Sequence, residues 1–286
     1  MTQTLLAVFA HPDDESFGPG GTLARYAAAG VAVWLVCGTD GAAGTVDAHL
    51  LADGKTTAQL RAAELCCAAE TLGLAGVDWL GYRDSGMAGS ADNEHPSSLV
   101  QAPLAEVTGK IVASIRAHKP QVVMCDNQFG GYGHPDHIKL HQATVAAFAA
   151  AGDAMQYPEA GPAWQPQRLY FTAFSPGLLK LLVRLMPLVG KNPRKFGRNH
   201  DIDLVQIVGW QTPIHARINV RPYLDTKDAA SSCHHSQGGG QQGFRWIPQM
   251  IQRRYWSDET FTRGVPAPRA GEPVEKDLFA GVTRAA

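Results

Sequence analysis

The chain has 286 residues, 45% of them hydrophobic and 18% charged, with a formal net charge of −1. That length suits one large domain, or one and a half, with a core that needs no staples. The even charge balance argues against a generic nucleic-acid binder, and no apolar run approaches the ~20 residues of a membrane span. The N-terminus has neither a basic n-region nor a long apolar h-region, so no signal peptide is expected and the cytoplasm is the default compartment. Cys37, Cys66, Cys67, Cys125 and Cys233 are odd in number and lack CxxC spacing. They read as buried free thiols of a reducing compartment.

In chain order, Leu5–Ala10 reads as a short buried strand closed by the polar loop HPDDE. Gly20–Gly30 reads as a helix stopped by glycine, Val31–Cys37 as the second strand, and TDGAAGT as the loop after it. Thr56–Leu72 has helical periodicity with Gly73 as its stop, and Val77–Tyr82 is the third strand. Ser98–His118 reads as a long helix ended by Pro120. Val122–Asn127 is the fourth strand, and QFGGYGHPD leads into a helix over His137–Ala151. Leu169–Ser175 reads as a fifth strand.

Beyond residue 176 the pattern weakens. PGLLKLLVRLMPLVGKNPRKFGR sets Lys180, Arg184, Lys191, Arg194, Lys195 and Arg198 on an apolar background. It suits a surface helix touching anionic lipid or an anionic substrate. The preferred reading is plainer: a lid or oligomer-contact helix whose charges are solvated, with Leu178–Val189 as the candidate homo-oligomer contact. HARINVRPYLDTKDAASSCHHSQ reads as a strand and a helix on the main sheet, SQGGGQQG as a flexible loop, and the tail from Arg263 as irregular.

Strands alternating with helices predict an α/β fold: a mostly parallel sheet with helices on both faces. A core over residues 1–175 and a C-terminal extension over 176–286 are expected, within one structural domain overall. In such sheets ligands bind outside the carboxyl ends of the strands. HPDDE follows strand one and GHPDH follows strand four, so the two loops meet on one rim.

That juxtaposition gives the acidic loop a purpose. Three carboxylates and a histidine in five positions repel one another unless a cation offsets them. His11, Asp14 and His137 read as a catalytic zinc set of two imidazoles and a carboxylate, with a position left for water. Pro12 forbids a regular helix between His11 and Asp14 and favours a tight turn that lets them converge. Asp13, beside a water of pKa about 7, suits a general base. His134 suits an oxyanion stabiliser, or a proton donor if protonated, and Asp136 a carboxylate that orients one of the histidines.

Alternative readings are weaker. One HPD turn alone is an ordinary helix entry; two on one rim are not. His141 could replace a ligand but fits a partly exposed helix position. His200 and His234–His235 are remote candidates for substrate contact. GPGG at 18–21 does not match GxGxxG, and the acidic loop before it would repel a pyrophosphate.

HPDDE (11–15) and GGYGHPDH (130–137), extended by RAAE (61–64) and YRDSGMAG (82–89), resemble the LmbE-like, or PIG-L, zinc-dependent de-N-acetylases. The resemblance covers most of residues 1–150. YRDSGMAG, GGYGHPDH and DLFAG (277–281) are similar to the branches of mycothiol and bacillithiol metabolism. It implies a Rossmann-like deacetylase with zinc on His11, Asp14 and His137, Asp13 as base and His134 on the tetrahedral intermediate. It further implies Tyr132 lining the site, and Arg61 and Asp84 holding sugar hydroxyls or the aglycone. Without the resemblance, Arg61 could pair with Glu64 along the helix, and Asp84 could close a turn with Ser85. The loop TDGAAG departs from the family pattern, with Ala42 where an acidic residue is common.

The implied reaction is hydrolysis of an N-acetylglucosaminide to acetate and a free amine. Iron is an alternative metal. An amidase of thiol S-conjugates, a non-catalytic sugar- or glycolipid-binding protein and a nucleotide-binding protein are the competing functions.

Overall fold

The computed structural model describes residues 2–174, 176–197, 202–210, 212–239, 253–254 and 256–283. The strands are β1 (Thr4–Phe9), β2 (Ala32–Thr39), β3 (Gly76–Tyr82), β4 (Val122–Cys125), β5 (Arg168–Ala173), β6 (Ala216–Asn219) and β7 (Asp258–Val265). They form one sheet in the order β3-β2-β1-β4-β5-β7-β6. The first five strands in that order pair in parallel; β7 is antiparallel to both β5 and β6.

Period-two alternation builds both layers of core from β1. Leu5, Ala7 and Phe9 face one layer with Leu23, Leu65, Leu72 and Leu224; Leu6, Val8 and Ala10 face the other with Val107, Ile111, Leu140 and Phe148. The helices of the first layer are α2 (Gly20–Ala28), α3 (Thr57–Leu72) and α9 (Leu224–Cys233); those of the second are α4 (Leu104–His118) and α6 (Pro135–Ala150). Thr56 and Gln59 form a reciprocal capping box on α3, and Gly73, at φ 73°, closes it.

Three sequence expectations need correction. The helix over 98–118 begins only at Leu104, because Pro103 holds Ala102 in extended backbone; Leu99–Gln101 is a separate 3-10 turn. The tail from Arg263 is not wholly irregular, since its first residues complete β7. The sheet is mostly parallel as expected, with β7 as its antiparallel member. Finally, the cysteines are not all free or buried: Cys67 on α3 and Cys233 at the end of α9 form a disulfide with Cα atoms 5.8 Å apart, and Cys66 is exposed. Only Cys37 and Cys125 are buried thiols, both held well above the ordinary thiol range by burial.

The Cys67–Cys233 bond spans 166 residues. Reduction should therefore lower the unfolding free energy by about 2–4 kcal/mol. Urea denaturation with and without dithiothreitol checks this, and Cys67→Ser should be insensitive to the reductant. Equal midpoints for the oxidised and reduced wild type would contradict the prediction.

The segment after β5 contains α7 (Pro176–Leu185), a 3-10 turn over Met186–Val189 and α8 (Leu204–Gly209). Val183, Met186 and Leu204 form a small separate core there. His200, Arg198 and positions 240–243 of the glycine-rich run lie outside the described residues. Among the described residues, no helix is long and apolar enough to cross a membrane.

Candidate metal centre and active site

The chain order reverses between β1 and β4, where a parallel α/β sheet opens a crevice at its carboxyl rim. That rim is acidic. Asp13 and Asp14 follow β1, Asp40 follows β2, Asp84 follows β3 and Asp126 follows β4.

Pro12 delays the first helix, α1 (Asp14–Phe17), and the HPDD turn closes on itself: the His11 amide donates to Asp14 Oδ2 at 2.8 Å. On the other loop, Gly130, Gly131 and Gly133 take positive φ. His134 then caps α6, its Nδ1 accepting from the Asp136 amide at 3.2 Å, and Pro135 begins the helix. His137 is therefore the third residue of that helix rather than its first.

Three atoms converge between these loops. His11 Nδ1 lies 3.1 Å from His137 Nε2 and 3.6 Å from Asp14 Oδ2, and the last two are 3.4 Å apart. Their neighbours assign the tautomers. His11 Nε2 faces Asp84 and Asp136, each at 3.3 Å, and His137 Nδ1 faces Asp126 at 2.7 Å. When neutral, each ring therefore donates outward and turns a lone pair inward. Three acceptors pointing at one another are unfavourable unless a cation sits among them. Four ligands at zinc–nitrogen and zinc–oxygen distances of about 2.0–2.2 Å stand about 3.3–3.6 Å apart on a tetrahedron; two sides of the triangle fall in that range and the third, between the histidines, is slightly shorter at 3.1 Å.

Other histidine–carboxylate groups on this rim fit less well. His11, Asp84, His134 and Asp136 are close enough to share an ion. Asp136, however, already accepts from the Ser85 amide at 2.9 Å and the Ser85 hydroxyl at 2.5 Å, and Asp84 from the Gly86 amide. Asp126 is likewise taken by His137 and Thr172.

Asp13 is not one of the three converging residues; it is held by Arg61. Its backbone is strained, at φ 140°, and its amide donates to Glu15 Oε2 at 3.0 Å. Its carboxylate receives Arg61 Nη2 at 2.8 Å. Arg61 also donates to the carbonyls of Pro12 and Gly41. A side chain at Gly41 or Gly44 would put its Cβ 2.5 or 2.7 Å from Arg61 Nη1, so the glycines of TDGAAG make room for the guanidinium. Ala42 contributes an amide, which donates to Asp40.

Burial pushes the Asp13 carboxyl up to about 6, against the pull of Arg61. Burial acts the same way on Asp14, but His137 and His11 outweigh it and hold Asp14 well below the carboxylate range. Asp84 is held low by His11 in the same manner. Burial, aided by His11 and His137, pushes His134 down to about 2. His134 is therefore a neutral imidazole: with Nδ1 accepting, Nε2 carries the proton and is a donor.

The predicted residues come together, with differences in detail. Asp136 orients His11; the carboxylate on His137 is Asp126, which the sequence reading passed over although it ends the β4 rim. Arg61 and Asp84 are 3% and 4% exposed and engaged by Asp13 and His11, and Glu64 bonds Ser236 rather than Arg61. Tyr132 packs edge-on against His137, ring centroids 5.3 Å apart. His141 stands outside the cluster, bonded to the Asp126 carbonyl. His234 is fully buried with its Nε2 2.8 Å from Glu15, so the C-terminal half braces the HPDDE loop from behind; His235 is exposed against Glu64.

The model of GlcNAc-PI de-N-acetylases, PIG-L, matches residues 6–148. A protein of Acidothermus cellulolyticus named 1D-myo-inositol 2-acetamido-2-deoxy-alpha-D-glucopyranoside deacetylase is 37% identical over 295 residues, covering 99% of this chain and 96% of its own. A Nocardioides protein of the same name is 34% identical, covering 98% and 99%. Among solved structures, N,N'-diacetylchitobiose deacetylase of Pyrococcus horikoshii superposes with a TM-score of 0.63 at 19% identity, covering 91% of this chain and 83% of that one, a likeness of fold. Fold, site and relatives together define an enzyme that hydrolyses a linear amide. The chain belongs to the PIG-L, or LmbE-like, de-N-acetylase family.

Proposed function

We propose that the protein is a metal-dependent de-N-acetylase that hydrolyses the acetamide of a 2-acetamido-2-deoxyglucoside, releasing acetate and a free amine. The observation that carries this reading is the inward convergence of His11 Nδ1, His137 Nε2 and Asp14 Oδ2 beside Asp13. The names of the near-full-length relatives make an inositol glycoside the first substrate to test.

Those three atoms would hold the metal, zinc or ferrous iron. When bound, the metal polarises the amide carbonyl and lowers the pKa of the attacking water. Asp13 takes the proton from that water and delivers it to the departing nitrogen. A carboxyl poised at about 6 suits both transfers near neutral pH. Arg61 fixes its direction through the 2.8 Å contact. His134 donates its Nε2–H to the oxygen of the tetrahedral intermediate, as a fixed dipole rather than as an imidazolium. Asp126, Asp84 and Asp136 hold the two histidines in the tautomers the metal needs. Tyr132 forms part of the wall where the sugar enters.

Acetate and amine release from a panel of N-acetylglucosaminides bearing inositol, malate or a lipid tests the reading. We expect acetate and amine in equal amounts, fastest from the inositol member. A protein with metal bound that releases no acetate from any member would contradict it; cleavage of an acyl-cysteinyl glucosamine instead would point to a conjugate amidase.

A further inference from the structure

We infer that the outer face of α7 is a docking surface for an anionic lipid bilayer. Leu182, Val183 and Met186 of this segment are buried, and Val183 and Met186 pack with Leu204 in the small core. One apolar face is what packing against α8 requires. The segment has a second one. Positions 181, 185 and 188 are three and four residues apart, so they share a stripe directed away from that core. Leu181 is 52% exposed, Leu185 40%, Leu188 80% and the neighbouring Val189 66%.

Charge selects the occupant. Between residues 176 and 200 there are six basic residues and no acidic one, in a chain whose net charge is −1. Arg194 is paired with Asp203. Lys180, Arg184 and Lys191 are exposed, and Lys180 and Arg184 run along one edge of the leucine stripe. An amphipathic face with leucines at its centre and cations at its edge suits the boundary between headgroups and acyl chains of an anionic leaflet. A second copy docked through the same face would bring cations onto cations. Nucleic acid would be matched by a basic or aromatic face, not by exposed leucines. The inner side of α7 carries Leu179, which walls a pocket with Asn127, Phe174 and Trp210 next to the metal-site loops. A bilayer under α7 would therefore lie close to the site's apolar wall.

Flotation of the full chain with vesicles tests the inference. The chain should float with phosphatidylglycerol mixed into phosphatidylcholine and not with phosphatidylcholine alone, and high salt should release it. Lys180→Glu with Arg184→Glu should weaken flotation by at least about tenfold. Leu188→Ser with Val189→Ser should weaken it comparably at unchanged charge. Both variants should keep wild-type acetate release from a soluble substrate, which certifies their fold. Failure to float with anionic vesicles, or flotation that neither variant weakens, would overturn the inference. So would a dimer in light scattering that the leucine–valine variant abolishes, because the face would then belong to a second copy.

Discussion

Asp13→Ala should lower kcat by about 10²–10⁴-fold while bound metal stays at the wild-type level. The separation follows from what holds Asp13. Its carboxylate is bonded by Arg61 and is not one of the three converging groups, so its removal deletes no proposed ligand. The turn around it is held by groups the substitution keeps, namely its amide on Glu15 and the His11 amide on Asp14. Steady-state kinetics beside metal analysis of the same preparation checks both halves. The assignment of Asp13 as the proton carrier fails if the metal-replete variant turns over at the wild-type rate. Asp13→Asn should lose as much, since it retains shape and hydrogen bonding but accepts no proton. Its KM should change little, because the substrate wall is untouched.

His11→Ala and His137→Ala should lose metal and activity together. Each deletes one corner of the triangle and exposes a buried acidic cluster to its own repulsion. A chelator should reproduce the loss in the wild type, and the thermal midpoint should fall with metal concentration, as linkage requires of a ligand bound by the folded state alone. Asp126→Ala should lie between: it removes the partner of His137 Nδ1 but no ligand, and about 10–100-fold weaker metal binding is expected. Metal titration by calorimetry on the four proteins ranks them. Tight stoichiometric metal in both histidine variants would dismiss the triangle as the site.

Much of this was legible in the sequence, for identifiable reasons. Buried parallel strands are short apolar runs followed by polar loops, so β1, β2 and β4 stood out, and rim geometry then brought His11 and His137 together across 126 positions. Apolar periodicity with Gly73 as the stop marked α3, and the Thr56–Gln59 capping box that fixes its start became visible only in the fold. What stayed hidden depends on long-range packing. β7, DETFTRGV, mixes charged and apolar residues because its register against β5 and β6 decides which side is covered. The Cys67–Cys233 pair required knowing that α3 and α9 lie side by side. Arg61 looked like a substrate clamp; only the fold shows it passing between Gly41 and Gly44 to reach Asp13. Asp126 was in view as part of a strand, yet its use followed from which nitrogen of His137 faced it.

The most direct test of the metal centre is an anomalous difference map at the zinc edge, from a crystal of the zinc-loaded protein. The geometry predicts one strong peak bonded to His11 Nδ1, Asp14 Oδ2 and His137 Nε2, with Asp84, Asp126 and Asp136 remaining on the outward nitrogens. A peak bonded instead to His11 Nε2 together with Asp84 or Asp136, or to Asp126, would contradict both the ligand set and the tautomers on which the proposed chemistry rests.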